Sequence, residues 1–406
     1  MERILYVTHQ YLPYFPTGVA RSTQTLATHM QKFGHQVAVL SVIPRGRNHE
    51  FEPTRYMYEG NEVWQFAPTR AYTAVPDHHW DIDTALVVAS VIEELRPDIV
   101  DVQHPMMYPE ARRVASACGL PTVVHLHDYW FLCPRVQLLR VDSSLCVSAN
   151  AGSNCKSVCS VPDGEERMAW ARAELEYFDA VVAPTRFVME TFSREGFATS
   201  SWILLPSGTI SHQKKWQLGK QPMQRSKSPL RLRFLESLLH HKGAHILLAA
   251  LAKIPGAPLR VFIHGDCYDE TEYYKSLVEL AAKDERVSFE GPYDFVYLPD
   301  LLSATDIVVI PSIWPETHSL VAESALASGV PVICTGPSGM SEIVKECEGG
   351  WEVPMGDAEA LAHILEKIAY DPFVLERTAM RMRPPMRIEA EAVAMEAIYR
   401  TLLAGL

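Results

Sequence analysis

The sequence predicts an α/β protein of two Rossmann-like, doubly wound domains that face each other across a cleft. Three observations carry this. Short runs rich in Val, Ile and Leu alternate with longer helical stretches, the pattern of a parallel sheet with helices on its faces. The alternation stops near residue 210, passes through a polar, basic stretch, and restarts at Leu230. At 406 residues the chain is too long for one ordinary core, and two domains of roughly 150 to 200 residues are expected.

In chain order, Ile4, Leu5, Tyr6 and Val7 are a first buried strand. Residues 21–33 follow as a helix that Gly34 stops, and residues 36–42 as a second strand. Residues 99–102, 122–126 and 180–184 repeat the apolar, β-branched signature, and residues 202–208 close a first domain placed at 1–210. A linker at 211–229 leads to a second domain at 230–385. There a strand at 230–235, a helix at 244–253 and a strand at 259–264 ended by Gly265 and Asp266 are expected. A short strand and turn at 287–292, a helix at 297–303, a strand at 306–312, a helix at 319–328 and a strand from 330 complete the pattern. Residues 386–406 hold a last helix.

Composition narrows the function. An apolar share of 48% with 21% charged residues is that of a folded soluble protein, and no apolar run reaches the length of a membrane span. Met1 leads directly into a strand without a signal-peptide pattern, which predicts a cytoplasmic protein. A net charge of −12 argues against nucleic-acid partners. Lys214, Lys215, Lys220, Arg225, Lys227, Arg231 and Arg233 nonetheless share an acid-free stretch. It reads as a solvated linker, or as a peripheral contact with anionic lipid at the inner face of the membrane or with a phosphorylated acceptor.

Eight cysteines in a cytoplasmic chain are not a disulfide framework. Cys118, Cys267, Cys334 and Cys347 are scattered and read as small core residues. Cys133, Cys146, Cys155 and Cys159 cluster in what reads as an inserted loop at about 133–160. Either they hold a structural zinc ion, stapling a loop with no core of its own, or they are free, redox-sensitive thiols.

The most telling run extends from Trp314 to Ile333. A helix that begins where a parallel strand ends presents free N–H groups and the positive end of its dipole, and Glu316 stands at that point. The Glu316-Thr317-His318-Ser319 opening and the Ala325-Leu326-Ala327-Ser328-Gly329-Val330-Pro331-Val332-Ile333 tail resemble the signature of the family 4 glycosyltransferases. The resemblance implies the GT-B architecture, with an acceptor-side first domain, a second domain that binds a nucleotide sugar, and a last helix that crosses back to the first domain. It also implies that Glu316 and a second Glu hold the donor. At the second position this chain has Ser324, with Glu323 one place early. Successive helical residues are turned by about 100°, so Glu323 does not take the same place.

Further loops extend the resemblance. His127-Asp128-Tyr129-Trp130-Phe131-Leu132-Cys133-Pro134 is similar to the family's segment whose His meets a donor-sugar hydroxyl; the alternative is a His capped by Asp128 for purely structural reasons. Lys242-Gly243 resembles its phosphate-gripping loop, with Ser237 in the same loop and Glu236 where relatives often carry Gly. Gly18, followed by Val19 instead of a second Gly, lies in the loop after the first strand. Pro292 and Tyr293 fall where relatives hold the base, and Ser338 replaces a Gly in the turn from 338 to 342. Thr317, His318, Ser319 and Leu320 form the helix start.

The implied activity is a retaining glycosyltransferase that uses a UDP- or GDP-sugar and a glycan or lipid-linked acceptor, as in polysaccharide biosynthesis, with no metal needed for the chemistry. Its catalytic residues would be His127, Glu316 and Lys242. Two other readings stay open on the sequence. One is a nucleotide-sugar epimerase; the other is a non-catalytic relative, favoured by the departures at Val19, Glu236, Ser324 and Ser338.

Overall fold

The computed structural model describes residues 1–42, 54–66, 80–210, 229–268 and 271–405. They form two compact units, Met1–Gly208 together with Ile388–Leu406, and Thr209–Arg387. The linker expected at 211–229, with Lys214, Lys215, Lys220, Arg225 and Lys227, lies outside the described residues except for Pro229.

The first unit holds an eight-stranded sheet. Its strands are β1 (Arg3–Val7), β2 (Gln36–Val42), β3 (Thr54–Tyr58), β4 (Asn61–Phe66), β5 (Ile99–Val102), β6 (Thr122–His125), β7 (Ala180–Ala183) and β8 (Ile203–Leu204). They lie in the order β3-β4-β2-β1-β5-β6-β7-β8, all parallel except the β3–β4 hairpin. That hairpin turns on Glu59 and Gly60, both at positive φ (46° and 84°), the backbone a two-residue hairpin loop demands. The chain steps from β1 to β2 on one side and returns to β5 on the other, so the carboxyl ends of β1 and β5 flank a switch point where α/β sheets take ligands.

Ile4, Leu5, Val39, Val100, Val123 and Val124 are buried, as strands covered on both faces should be. One charge lies among them. Asp101 is fully buried in β5 and accepts from Tyr399 Oη at 2.5 Å, from Gln103 Nε2 at 2.8 Å and, at 3.2 Å, from His125 Nε2. Burial alone would lower the His125 pKa, but the Asp101 carboxylate outweighs it and holds the imidazole above its usual range. Tyr399 belongs to the helix Ile388–Ala404 and also meets Tyr6 Oη at 3.2 Å, while Glu391 of that helix accepts from the Gly208 amide at 2.6 Å. The last helix is thus bonded into the first unit.

The second unit holds β9 (Leu230–Leu235), β10 (Leu259–His264), β11 (Val287–Gly291), β12 (Ile307–Ile310), β13 (Val332–Gly336) and β14 (Gly350–Pro354). The order is β11-β10-β9-β12-β13-β14, and every pair is parallel. Alternate residues serve two cores. Leu232, Val261, Ile307 and Val309 pack with the helices Ala244–Lys253 and Ala358–Tyr370, while Val308, Ile310 and Cys334 pack with Leu320–Ala327 and Gly339–Glu346. Arg231 and Arg233 belong to β9 and not to a free basic stretch. Arg231 is paired with Asp306 at 3.2 Å, and Arg233 lies over Phe262 and bonds His264 at 2.7 Å.

Tyr399→Phe removes one of the donors that offset the buried Asp101 charge. It should lower the unfolding free energy by about 1–3 kcal/mol, the scale of a hydrogen bond to a charged group, in urea denaturation. No change would mean that the hydroxyl contributes nothing.

Candidate active site

In the second unit, three segments that are distant in sequence converge at the carboxyl ends of β9 and β12. After β9 the chain runs through Glu236 into the single turn His240–Lys242 and then Gly243. Gly243 has φ 75°, and a Cβ there would lie 1.9 Å from the Pro311 carbonyl oxygen, so only glycine lets this loop pass so close to the end of β12. Ile313 donates its amide to the His241 carbonyl at 2.9 Å, joining the two loops. Burial, with Lys242 and His240 nearby, pushes the His241 pKa down to about 3, so its ring stays neutral near pH 7.

Lys242 Nζ lies 2.8 Å from Glu316 Oε1 and 3.1 Å from Glu236 Oε2. Glu316 is 3% exposed, and the same Oε1 accepts from Ser312 Oγ at 2.7 Å and Trp314 Nε1 at 2.9 Å. Burial would lower the lysine pKa, but the two carboxylates outweigh it and hold the ammonium above its usual range. For Glu236 burial dominates and raises the pKa, against the pull of Lys242. Ser319 caps the helix Leu320–Ala327, accepting from the Ala322 amide at 3.2 Å, and its hydroxyl also donates to Glu236 Oε1 at 3.2 Å. An ammonium, a helix N-terminus and two carboxylates thus share one buried corner with Thr317, which is 1% exposed.

Other sequence-singled residues are divided by the fold. Glu323 is 1% exposed, and its carboxylate faces His318 Nδ1 at 3.5 Å, with no hydrogen bond to either of its oxygens among the described residues. Ser324 is buried on the same helix, and Leu320 is half-buried at its start. Ser338 caps Gly339–Glu346 in a reciprocal pair with Ser341, at 2.9 and 3.1 Å, and the Met340 amide donates to the Glu316 carbonyl at 3.2 Å. Pro292 follows Gly291, and Tyr293 Oη donates to the Leu235 carbonyl at 2.9 Å, so Tyr293 braces the end of β9. Ser237 is half-buried in the Lys242 loop.

In the first unit, His127 follows β6, and its Nε2 lies 3.1 Å from Gln103 Oε1, with its ring stacked on His125 at 5.8 Å. Its neighbour Asp128 holds His104 Nε2 at 2.8 Å and accepts from the Trp130 amide at 2.8 Å. His9, after β1, places its ring 4.2 Å from His104 and is kept neutral chiefly by burial. Gln103, His104 and His9 were missed in the sequence. Their signal is a polar pair directly after an apolar strand. Gly18 is the first residue of the helix Gly18–Lys32, which Thr17 caps, and Val19 accepts from Thr23 Oγ1 at 2.8 Å.

The cysteine segment is not a bare loop. It contains the helix Ser153–Cys159, which abuts Gly164–Glu176; that second helix carries Trp170, whose ring lies 5.5 Å from that of Trp130, just before the segment. Cys133, Cys146, Cys155 and Cys159 all line one small cavity, and none is in a disulfide. Burial pushes Cys133 up to about 11 and Cys155 up to about 12, so both are thiols at neutral pH. Among the described residues no group of three or more His, Cys, Asp or Glu side chains is arranged to hold a metal ion.

Two doubly wound parallel-sheet units are the architecture of the GT-B class of glycosyltransferases. The chain belongs to family 4 of these enzymes: residues 17–208 match the glycosyl transferase 4-like domain and residues 220–384 the glycosyl transferases group 1. Glycogen synthase of Mycobacterium tuberculosis is 24% identical over 395 residues, 94% of this chain and 89% of that protein. D-inositol 3-phosphate glycosyltransferase of Corynebacterium urealyticum is 32% identical over 182 residues, 42% of each. The fold is similar to that of sucrose-phosphate synthase from Thermosynechococcus elongatus, with TM-score 0.75 and 20% identity over the whole of both chains. It is also similar to Anabaena HepE in complex with UDP and glucose, with TM-score 0.66 and 18% identity over 100% of this chain and 98% of that one.

Glu316→Ala removes the acceptor shared by Lys242, Ser312 and Trp314. Unfolding experiments should show a loss of about 1–3 kcal/mol, the cost of leaving the buried Ser312 and Trp314 donors without their acceptor, while Glu236 still pairs Lys242. A loss below about 1 kcal/mol, the worth of an exposed pair, would show that water reaches the cluster.

Proposed function

We propose that this glycosyltransferase is a retaining enzyme that moves a sugar from a nucleoside diphosphate donor, a UDP- or GDP-sugar, to a hydroxyl of a glycan or lipid-linked saccharide. The observation that carries this reading is the Lys242 ammonium, held protonated beside the N-terminus of Leu320–Ala327. A departing diphosphate gains negative charge, and a fixed cation with a helix dipole stabilises that charge without reorganising. The UDP held by the HepE relative supports the donor class.

In this reading Lys242, Thr317 and Ser319 meet the diphosphate. Glu316 accepts from donor-sugar hydroxyls; three donors already hold its Oε1, which fixes the carboxylate for the task. His127 meets a sugar hydroxyl, with Gln103 setting its ring. In the retaining step the bond from the anomeric carbon to the phosphate oxygen breaks and the acceptor oxygen bonds to that carbon on the same face. The acceptor's proton passes to the departing phosphate. No protein nucleophile is required, so positioning and electrostatics supply the rate.

The test is a screen of UDP-, GDP- and ADP-sugars with anomeric configuration followed by NMR. An α-linked donor should yield an α product or, slowly, the α sugar, and Lys242→Met should lower kcat by about 10²- to 10³-fold, the usual cost of removing one charge-stabilising donor. An inverted product overturns the retaining step, and undiminished turnover in Lys242→Met overturns the site.

A further inference from the structure

The second unit's anion corner already contains an anion. Glu236 places Oε2 at 3.1 Å from the Lys242 ammonium and takes the Ser319 hydroxyl on Oε1 at 3.2 Å, so one carboxylate bridges the cation and the residue that caps Leu320–Ala327. Those are the two features that make the corner attractive to phosphate. The carboxylate is well placed to stay there. Its side chain is 11% exposed, and its backbone is pressed against Gly265, where a Cβ would meet the Glu236 carbonyl oxygen at 2.1 Å. Counting charges, one ammonium faces two carboxylates, Glu236 and Glu316, leaving the cluster one unit negative while both are ionised.

The two carboxylates differ in what they do. Glu316 is fixed by Ser312 and Trp314 in addition to Lys242, whereas the Glu236 carboxylate is bonded only to Lys242 and Ser319 among the described residues. Removing Glu236 from Lys242 would therefore leave the lysine still held by Glu316.

Resting on the nucleoside diphosphate reading, we propose that Glu236 is a specificity-determining residue: it occupies the phosphate subsite as an internal stand-in and yields Lys242 and Ser319 to the incoming diphosphate. Each binding event must displace or neutralise a like charge, so the site holds its phosphates more weakly than an uncharged residue at 236 would allow. When the diphosphate leaves, Glu236 returns to Lys242, which keeps the ammonium paired and favours release of the charged product.

The experiment is calorimetric titration of UDP, GDP and ADP, each beside its nucleoside, into the full chain and into Glu236→Gln and Glu236→Ala, with folding checked by thermal melts. Two variants are used because the isosteric Gln keeps the packing if Ala does not fold. The proposal expects a nucleoside diphosphate to bind about tenfold more tightly to the variant, the scale of a relieved like-charge contact, with nucleoside affinity unchanged. Equal or weaker diphosphate binding in the variant overturns the role of Glu236 and leaves the donor reading standing. Equal tightening of nucleoside and diphosphate also overturns it, since the gain would not come from phosphate. Binding of no diphosphate by any form overturns the donor reading and this proposal with it.

Discussion

The buried pairing of Lys242 with Glu316 is the interaction on which the second unit's site depends. An ammonium taken out of water costs several kcal/mol, and only a close, fully bonded partner offsets this. Glu316 is such a partner because Ser312 and Trp314 donate to the same oxygen that Lys242 reaches. The requirement propagates backwards into the backbone. Lys242 and Glu316 can meet only if the loop after β9 touches the end of β12, and Gly243 is the residue that permits the approach. Beyond the pair, the Ser338–Ser341 cap brings the Met340 amide onto the Glu316 carbonyl, so the glutamate is held from both its side chain and its backbone.

The first unit solves the same physical problem around a negative charge. Asp101 is buried at the sheet's centre and is offset by His125, Gln103 and Tyr399, the last from a helix almost three hundred residues further on. Its chain neighbours Gln103 and His104 then reach His127 and Asp128 at the next strand end. His127 and Asp128 are in this way tied, through Gln103 and His104, to the strand that carries the buried charge.

Most of the parallel framework could be read from the chain because a strand buried on both faces is a continuous apolar run. The runs at 4–7, 36–42, 99–102, 230–235 and 259–264 correspond to β1, β2, β5, β9 and β10 within a residue. The β3–β4 hairpin was not read, since Arg55, Asn61, Glu62 and Gln65 dilute its apolar signal and only the Glu59-Gly60 pair marks the turn. At the site, Lys242 and Glu316 were visible through their motifs, but the bridge from Glu236 to Ser319 was not. It joins residues 83 apart, and no local pattern encodes such a contact. The link from Asp128 to His104 is non-local in the same way, joining residues 24 apart. The cysteine spacing was consistent with zinc or with free thiols; the structure adds the cavity that gathers them and the helix Ser153–Cys159 within the segment.

The most direct test of the central claim is a crystal structure of the chain with a bound nucleoside diphosphate. The account predicts phosphate oxygens within hydrogen-bond distance of Lys242 Nζ and Ser319 Oγ, Glu316 still bonded to Ser312 and Trp314, and the Glu236 carboxylate turned away from the lysine. A diphosphate bound elsewhere, with Glu236 still on Lys242, would contradict it.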